Sequence, residues 1–169
     1  MTHPLVTQLR FARSEFRRGL GDVSDADGRR RLGPMNCIAW VVAHLANQER
    51  RYWVVWAQGK DLHPELHELA GYGKPASTPA ISEMWAAWQA VTAAADAYLD
   101  TLTDADLDRR LMRDDGKPAA DTIGGLLLRN IYHYWFHLGE GHAIRQSLGH
   151  AGLPEFVGDM AGVTYRLAQ

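Results

Sequence analysis

The sequence predicts an all-α protein, a four-helix bundle in up-down-down-up order. Four long segments carry apolar side chains three or four residues apart, which is the period of an amphipathic helix, and no credible set of strands is present. The connection over residues 59–80 is long and rich in glycine and proline. A connection of about twenty residues can cross the bundle and start the third helix from the same end as the second.

The first two helices have clear starts and ends. The first is predicted over residues 3–20 and closed by Gly21, as a glycine at C′ would close it. Residues 22–35 are rich in Asp, Gly and Arg and are predicted to form a connection. The second helix is predicted from Asn36, a good N-cap residue, to about Gln58.

The third helix is predicted over Ile81–Leu102. Asp121 or Thr122 is predicted to cap the fourth helix, which continues to about Leu148. This last helix is apolar on nearly every side, so we expect it to be buried all round. The tail is mixed, and Val163–Tyr165 is consistent with a short extended piece.

The composition is that of an ordinary globular domain. The 169 residues, 46% hydrophobic and 22% charged, predict one domain over residues 1–169. The net charge of −2 argues against nucleic-acid binding. Cys37 is the only cysteine, which excludes an internal disulfide and a Cys-rich zinc module. Without a signal peptide pattern or a membrane-spanning stretch, we expect a cytoplasmic protein that does not bind membranes.

Three of the eight histidines are predicted to lie inside the bundle. His133 and His137 are four residues apart on the most apolar helix, and therefore share one face. His44 lies in the second helix beside its apolar stripe. A buried imidazole without a partner costs roughly 1–3 kcal/mol. One divalent cation bound by all three would remove that cost, and three imidazoles with open positions are typical of a catalytic metal site.

Other interpretations of the histidines are weaker. Each imidazole could instead have its own hydrogen-bond partner. His63 and His67 also stand four apart, but they lie among acidic residues of the long connection and are expected to be solvated. Cys37 is seven residues before His44, about 10.5 Å along a helix axis, and is predicted to be a buried apolar residue rather than a ligand.

Two helical segments together resemble the DinB-like superfamily. They are residues 36–52, which contain His44, and residues 133–149, in which His-x3-His is followed by glycine, arginine and a Leu-Gly ending. The resemblance covers nearly the whole chain. It implies an up-down-down-up four-helix bundle, often a homodimer, with zinc, nickel or iron held by three histidines, which here are His44, His133 and His137.

The resemblance also implies a range of activities on small molecules. Characterised relatives include S-transferases that use mycothiol or bacillithiol, a mycothiol-dependent maleylpyruvate isomerase and the metal domain of ergothioneine-forming enzymes. A metal lowers the pKa of a bound thiol, which makes a thiolate nucleophile at neutral pH. We therefore expect a metal-dependent enzyme that uses a low-molecular-weight thiol, mycothiol being favoured.

Five further residues are candidates for the site. Glu140 lies one turn after the second histidine of the pair and could orient a ligand or act as a base. Glu49 and Arg145 could lie in the pocket or pair with each other. Trp40 and Gln48, one turn either side of the histidine of the second helix, are candidates to line the pocket.

Three alternatives to a thiol-dependent enzyme are open. The first is a non-catalytic metal-binding or stress-associated protein, in which the histidines stabilise the bundle. The second is a metal-dependent hydrolase that uses a bound water. The third, a ferritin-like di-iron enzyme, needs Glu-x-x-His motifs, and none of the three histidines has a glutamate three residues before it.

Overall fold

The computed structural model describes residues 2–158 and Met160, and the predicted extended piece Val163–Tyr165 lies outside them. The described chain is all-α, with six α-helices, and contains no β-strand. The α-helices are α1 (Pro4–Leu20), α2 (Asp25–Gly28), α3 (Ile38–Glu49), α4 (Glu65–Ala70), α5 (Ile81–Leu99) and α6 (Ile123–Ser147). A π-helical segment over Arg50–Trp56 continues α3, and a 3₁₀ turn spans Asp104–Asp106. None of the described helices is both long and apolar enough to cross a bilayer.

The ends of the helices follow local capping chemistry. His3 caps α1, since its Nδ1 accepts a hydrogen bond from the amide of Leu5 at 3.1 Å. Gly21 ends α1 as predicted, with φ −74° in the right-handed region, and its amide donates to the carbonyl of Arg17 at 2.9 Å. Thr122 caps α6 as predicted, because its hydroxyl accepts from the amide of Gly125 at 3.2 Å.

The start of α3 differs from the prediction by one residue. Cys37, not Asn36, is the N-cap, and its Sγ accepts from the amide of Trp40 at 3.4 Å. The thiol is fully buried, as predicted, and burial raises its pKa above the ordinary value. The third predicted helix is also shorter than expected, since α5 ends at Leu99 rather than Leu102.

The predicted connections contain two short helices. Residues 22–35 hold α2, and residues 59–80 hold α4, which packs against α3. Helix α1 packs on α6, while α3 packs on both α5 and α6. A Cβ at Gly141 would lie 2.7 Å from the buried Leu20 side chain, so this glycine permits the close approach of α1 and α6.

A buried polar network joins four elements at the centre of the fold. The Arg13 guanidinium of α1 pairs with the fully buried Glu49 of α3, with Nε 2.7 Å from Oε1, and with Asp96 of α5 at 2.7 Å. The Tyr134 hydroxyl of α6 donates to Glu49 at 2.6 Å and accepts from the Trp88 indole at 2.7 Å. Every charged member therefore has a partner, as a buried charge requires.

One face of α6 is exposed, and the prediction that this helix is buried all round is wrong. Leu128, Tyr132 and Phe136, four residues apart, are 37%, 65% and 70% exposed. Their apolar character predicts burial, but neither the other long helices nor the described connections cover this stripe. Since the stripe lies next to the histidines of α6, it forms part of their surroundings.

Candidate metal centre

The three predicted histidines meet between α3 and α6. One ring nitrogen from each of His44, His133 and His137 lies within 4.8 Å of the other two. The Nε2 atoms of His133 and His137 are 2.9 Å apart. The rings are largely withdrawn from solvent, and His137 is buried. The packing of α3 on α6 therefore brings the histidine pair of one helix, predicted to share a face, together with the single histidine of the other.

His44 is oriented by the short helix in the long connection. Its Nδ1 lies 2.7 Å from the carbonyl oxygen of Ala70, the last residue of α4. A carbonyl only accepts, so Nδ1 carries the proton and Nε2 is left with its lone pair. The Trp40 ring stacks on His44, with centroids 4.5 Å apart and planes 10° apart, which restricts the imidazole further.

His137 is oriented by the acidic residue one turn later on the same helix. The Glu140 carboxylate accepts from Nδ1 of His137 at 2.7 Å. This is the helical i, i+3 neighbour that the sequence placed on a similar face. A carboxylate holding the far nitrogen of a histidine is a recurrent partner of metal ligands, because it fixes the tautomer and raises the ligand's basicity.

His133 is oriented by a chain of hydrogen bonds whose direction is fixed at its far end. The Trp53 indole, which can only donate, donates to Oδ1 of Asn130 at 2.7 Å. The amide nitrogen of Asn130 therefore donates to Oε1 of Gln48 at 2.5 Å. That same oxygen accepts from Nδ1 of His133 at 2.7 Å, so His133 too carries its proton on Nδ1.

All three Nε2 atoms consequently present lone pairs to a common region. Two lone pairs 2.9 Å apart repel each other unless a positive charge lies between them. Burial lowers the pKa of His133 to about 3, with the neighbouring His137 contributing, and burial also lowers the pKa of His44. Neutral imidazoles with fixed tautomers are the ligand form that a divalent cation requires. The donor set therefore fits a three-histidine metal site.

A cleft of about 740 Å³ leads to the cluster from the exposed face of α6. His44 and His133 lie in it beside Gln48. Its size is within the range of small-molecule sites, roughly 300–1,000 Å³. The remaining lining residues come from the π segment, from the loop after α4, from the end of the loop before α6 and from α6 itself, and they are Arg51, Tyr52, Tyr72, Asp121, Gly125, Leu128, Arg129, Tyr132 and Phe136.

Two candidates from the sequence lie in salt bridges away from the cleft. Glu49 pairs with Arg13, and Arg145 pairs with Asp22 at 2.6 Å, so of the two alternatives expected for these residues the pairing of Glu49 with Arg145 is wrong. Neither residue is among those lining the cleft. Both side chains point away from the cleft, Glu49 to the Arg13 guanidinium of α1 and Arg145 to the Asp22 carboxylate in the loop after α1.

The second histidine pair of the sequence forms no part of the cluster. His63 lies 2.8 Å from the exposed Glu65 carboxylate, and His67 is exposed on α4. Among the described residues, the only group of three or more potential ligands with metal spacing is the cluster of His44, His133 and His137.

Sequence reasoning missed three groups that shape the site. The Ala70 carbonyl comes from a helix within a segment predicted to be irregular, although Pro64 marked a possible start for it. Asn130 is fully buried one turn before His133, and a polar residue inside an apolar helix is a usable signal. Arg51 is seven residues after His44, a spacing that predicts a shared helical face.

An all-helical fold with a three-histidine centre between two of its helices defines the class of this protein. Residues 8–140 match the family model described as DinB superfamily, and the chain belongs to that superfamily. A crystal structure of a conserved protein from Enterococcus faecalis has the same fold, with a TM-score of 0.61 and 17% identity over 89% of this chain and 99% of that one. No functionally curated protein matched the sequence.

Proposed function

We propose that this protein is a metal-dependent enzyme in which His44, His133 and His137 hold one divalent cation, and that it activates a low-molecular-weight thiol for S-transfer or isomerisation. The observation that carries the proposal is the common direction of the three Nε2 lone pairs, each fixed by an acceptor on Nδ1. Zinc, nickel and iron all accept imidazole ligands.

The cation would supply positive charge and open coordination positions at which a thiol is deprotonated. The protein's own groups do the positioning. Gln48 and Glu140 hold two of the rings in place, and the Trp40 indole restricts the third. The cleft gives a small molecule access to the cluster from one side, which supports catalysis over a purely structural metal.

We also propose the up-down-down-up order for the four long helices. Contacts of Gln48 with His133 and of Trp53 with Asn130 run in opposite residue order, which supports an antiparallel α3 and α6. Phe11 of α1 lies beside Trp135 of α6, and Leu20, later in α1, lies beside Gly141, later in α6. The residue numbers rise together along the two helices, which supports a parallel α1 and α6. Homodimerisation and a cytoplasmic location stay predictions.

Elemental analysis of the purified protein tests the metal assignment directly. We expect one divalent metal per chain, lost in His133→Ala and retained in His67→Ala. The second variant is a matched control because His67 also belongs to an i, i+4 histidine pair. An equal metal content in the two variants would refute the assignment.

A screen of the metal-loaded protein with mycothiol, bacillithiol and glutathione tests the activity, with S-transfer and isomerisation as readouts. We expect turnover that disappears in His133→Ala. Hydrolysis of ester and amide substrates is measured in parallel. Turnover in that arm alone would replace the thiol proposal by a hydrolase.

A further inference from the structure

Arg51 lines the cleft beside His44 and His133 and has no acidic partner among the described residues. One of its Nη2 protons is donated to the Tyr52 hydroxyl at 3.1 Å. The guanidinium lies over the rings of Tyr52 and Trp56, 4.9 and 5.4 Å from their centroids. Aromatic faces thus hold the cation in place, and most of its five N–H donors remain available.

Neighbouring arginines differ in this respect. Arg50, the preceding residue, is paired with Asp61 and also donates to the carbonyl of Leu62 at 2.5 Å. Arg129, in the same cleft, is paired with Asp121 at 2.8 Å. The absence of a carboxylate at Arg51 is therefore particular to this position and is not general in this part of the surface.

The charges around the cleft leave an excess of positive charge. Asp121 and Arg129 neutralise each other, which leaves Arg51 as the uncompensated charge among the lining residues. Glu140 is the one carboxylate that contacts the histidine cluster in the described chain. A divalent cation at the histidines would add to the charge of Arg51, and a bound anion would relieve this repulsion.

The rest of the cleft wall is apolar and exposed. Tyr72 is 95% exposed, and Tyr132 and Phe136 are more than half exposed. Large exposed aromatic side chains around one concavity are typical of a binding site. Their position between solvent and the histidines suits the apolar body of a small molecule whose reactive end reaches the cluster.

We propose that Arg51 is a specificity residue that binds the carboxylate or other anionic group of a small organic substrate or thiol, whose apolar part packs on Tyr72, Tyr132 and Phe136. The guanidinium offers an anion two parallel N–H groups. The proposal rests on the proposed function only in assuming that ligands enter this cleft on their way to the metal.

The test compares probes of equal length and different charge on the zinc-loaded full-length protein by isothermal titration calorimetry. The thiol probes are 3-mercaptopropionate, 3-mercapto-1-propanol and 3-mercaptopropylamine. We expect roughly tenfold or tighter binding of the anion over the neutral probe, as for a charge-assisted pair, and the weakest binding for the cation. Arg51→Met should remove the preference, and Arg51→Lys should restore part of it.

The control is Arg129→Met/Asp121→Asn, which removes a neutral pair from the same cleft and should keep the preference. An equal preference in wild type and Arg51→Met, or none in wild type, would overturn the proposal. A second pair without a thiol, 3-phenylpropionate and 3-phenyl-1-propanol, separates the two hypotheses. If no thiol binds but 3-phenylpropionate is still preferred through Arg51, the thiol function fails and the anion site stands.

Discussion

Gln48 illustrates how a single side chain sets the tautomer of a histidine in the cluster. Its Oε1 accepts two hydrogen bonds, from His133 and from Asn130. The first donor in this series of hydrogen bonds is the Trp53 indole, which cannot accept. Rotating the amide of Asn130 or Gln48 would therefore leave a buried donor without an acceptor, so the direction of the hydrogen bonds is fixed. The tautomer of His133 is thus determined by Trp53, two hydrogen bonds beyond Gln48.

We predict that Gln48→Leu weakens zinc binding by roughly 10–100-fold, the usual effect of removing a partner of a metal ligand. His133 would lose the acceptor that holds its proton on Nδ1. Competition with a chromophoric chelator measures the affinity. Gln48→Glu retains an acceptor oxygen at this place and should restore most of the binding. Similar weakening in the Glu and Leu variants would show that this hydrogen bond does not matter.

The three histidines of the cluster could be predicted from the sequence, but the residues that orient them could not. A four-residue spacing on an apolar helix is a local property, and it indicated His133 and His137 directly. Which acceptor meets each Nδ1 depends on how α3, α4 and α6 lie against one another. Glu140 is the exception, because its contact with His137 lies within one helix.

At the scale of elements, the π segment accounts for a departure from the expected period. Tyr52, Trp53 and Val54 are buried in succession, whereas an α-helix would turn three consecutive residues through about 200°. The wider π turn changes the phase of the helix after Glu49. Apolar periodicity assumes 3.6 residues per turn, so it indicated the helix but not the change of phase.

The network around Glu49 makes a prediction at the scale of elements. Arg13→Met should destabilise the protein by about 3–5 kcal/mol, because Glu49 would keep a buried charge without its partner. Urea unfolding followed by circular dichroism measures the loss. Arg13→Met/Glu49→Gln removes the charge, keeps an acceptor for Tyr134 and should recover much of the stability. A double variant as unstable as the single one would contradict this account.

At the scale of the whole molecule, the long connection has a role beyond linking helices. The sequence predicted its length, which distinguishes the order of the helices, but not that α4 would deliver the Ala70 carbonyl to His44. A contact between residues 26 positions apart depends on the global packing. The exposed stripe of α6 was missed for the same reason. The apolar side chains of a helix predict that another element covers them, but whether one does depends on the packing of the whole chain.

Glu15 of α1 forms a hydrogen bond with the segment after α6, and its ionisation makes the stability of the folded protein depend on pH. The buried Glu15 carboxylate accepts from Arg18 at 2.6 Å and from the amide of Gly158 at 3.1 Å. The Arg18 hydrogen bond lowers the pKa of Glu15 below its ordinary value of 4.5. A carboxylate whose pKa is lower in the folded than in the unfolded chain stabilises the protein at any pH above its unfolded-state pKa. This stabilisation is lost as the pH falls through the folded-state pKa.

We therefore predict that Glu15→Gln has a lower melting temperature than wild type at neutral pH, and that the difference disappears as the pH falls below about 4.5. Thermal unfolding followed by circular dichroism over a pH series measures the difference. Glu83→Gln, at an exposed site, is the matched control, and its melting temperature at neutral pH should stay close to that of wild type. A deficit of Glu15→Gln that does not shrink as the pH falls below about 4.5 would mean that packing rather than ionisation of the carboxylate stabilises this part of the fold, because the unfolded chain then takes up a proton that the folded carboxylate resists.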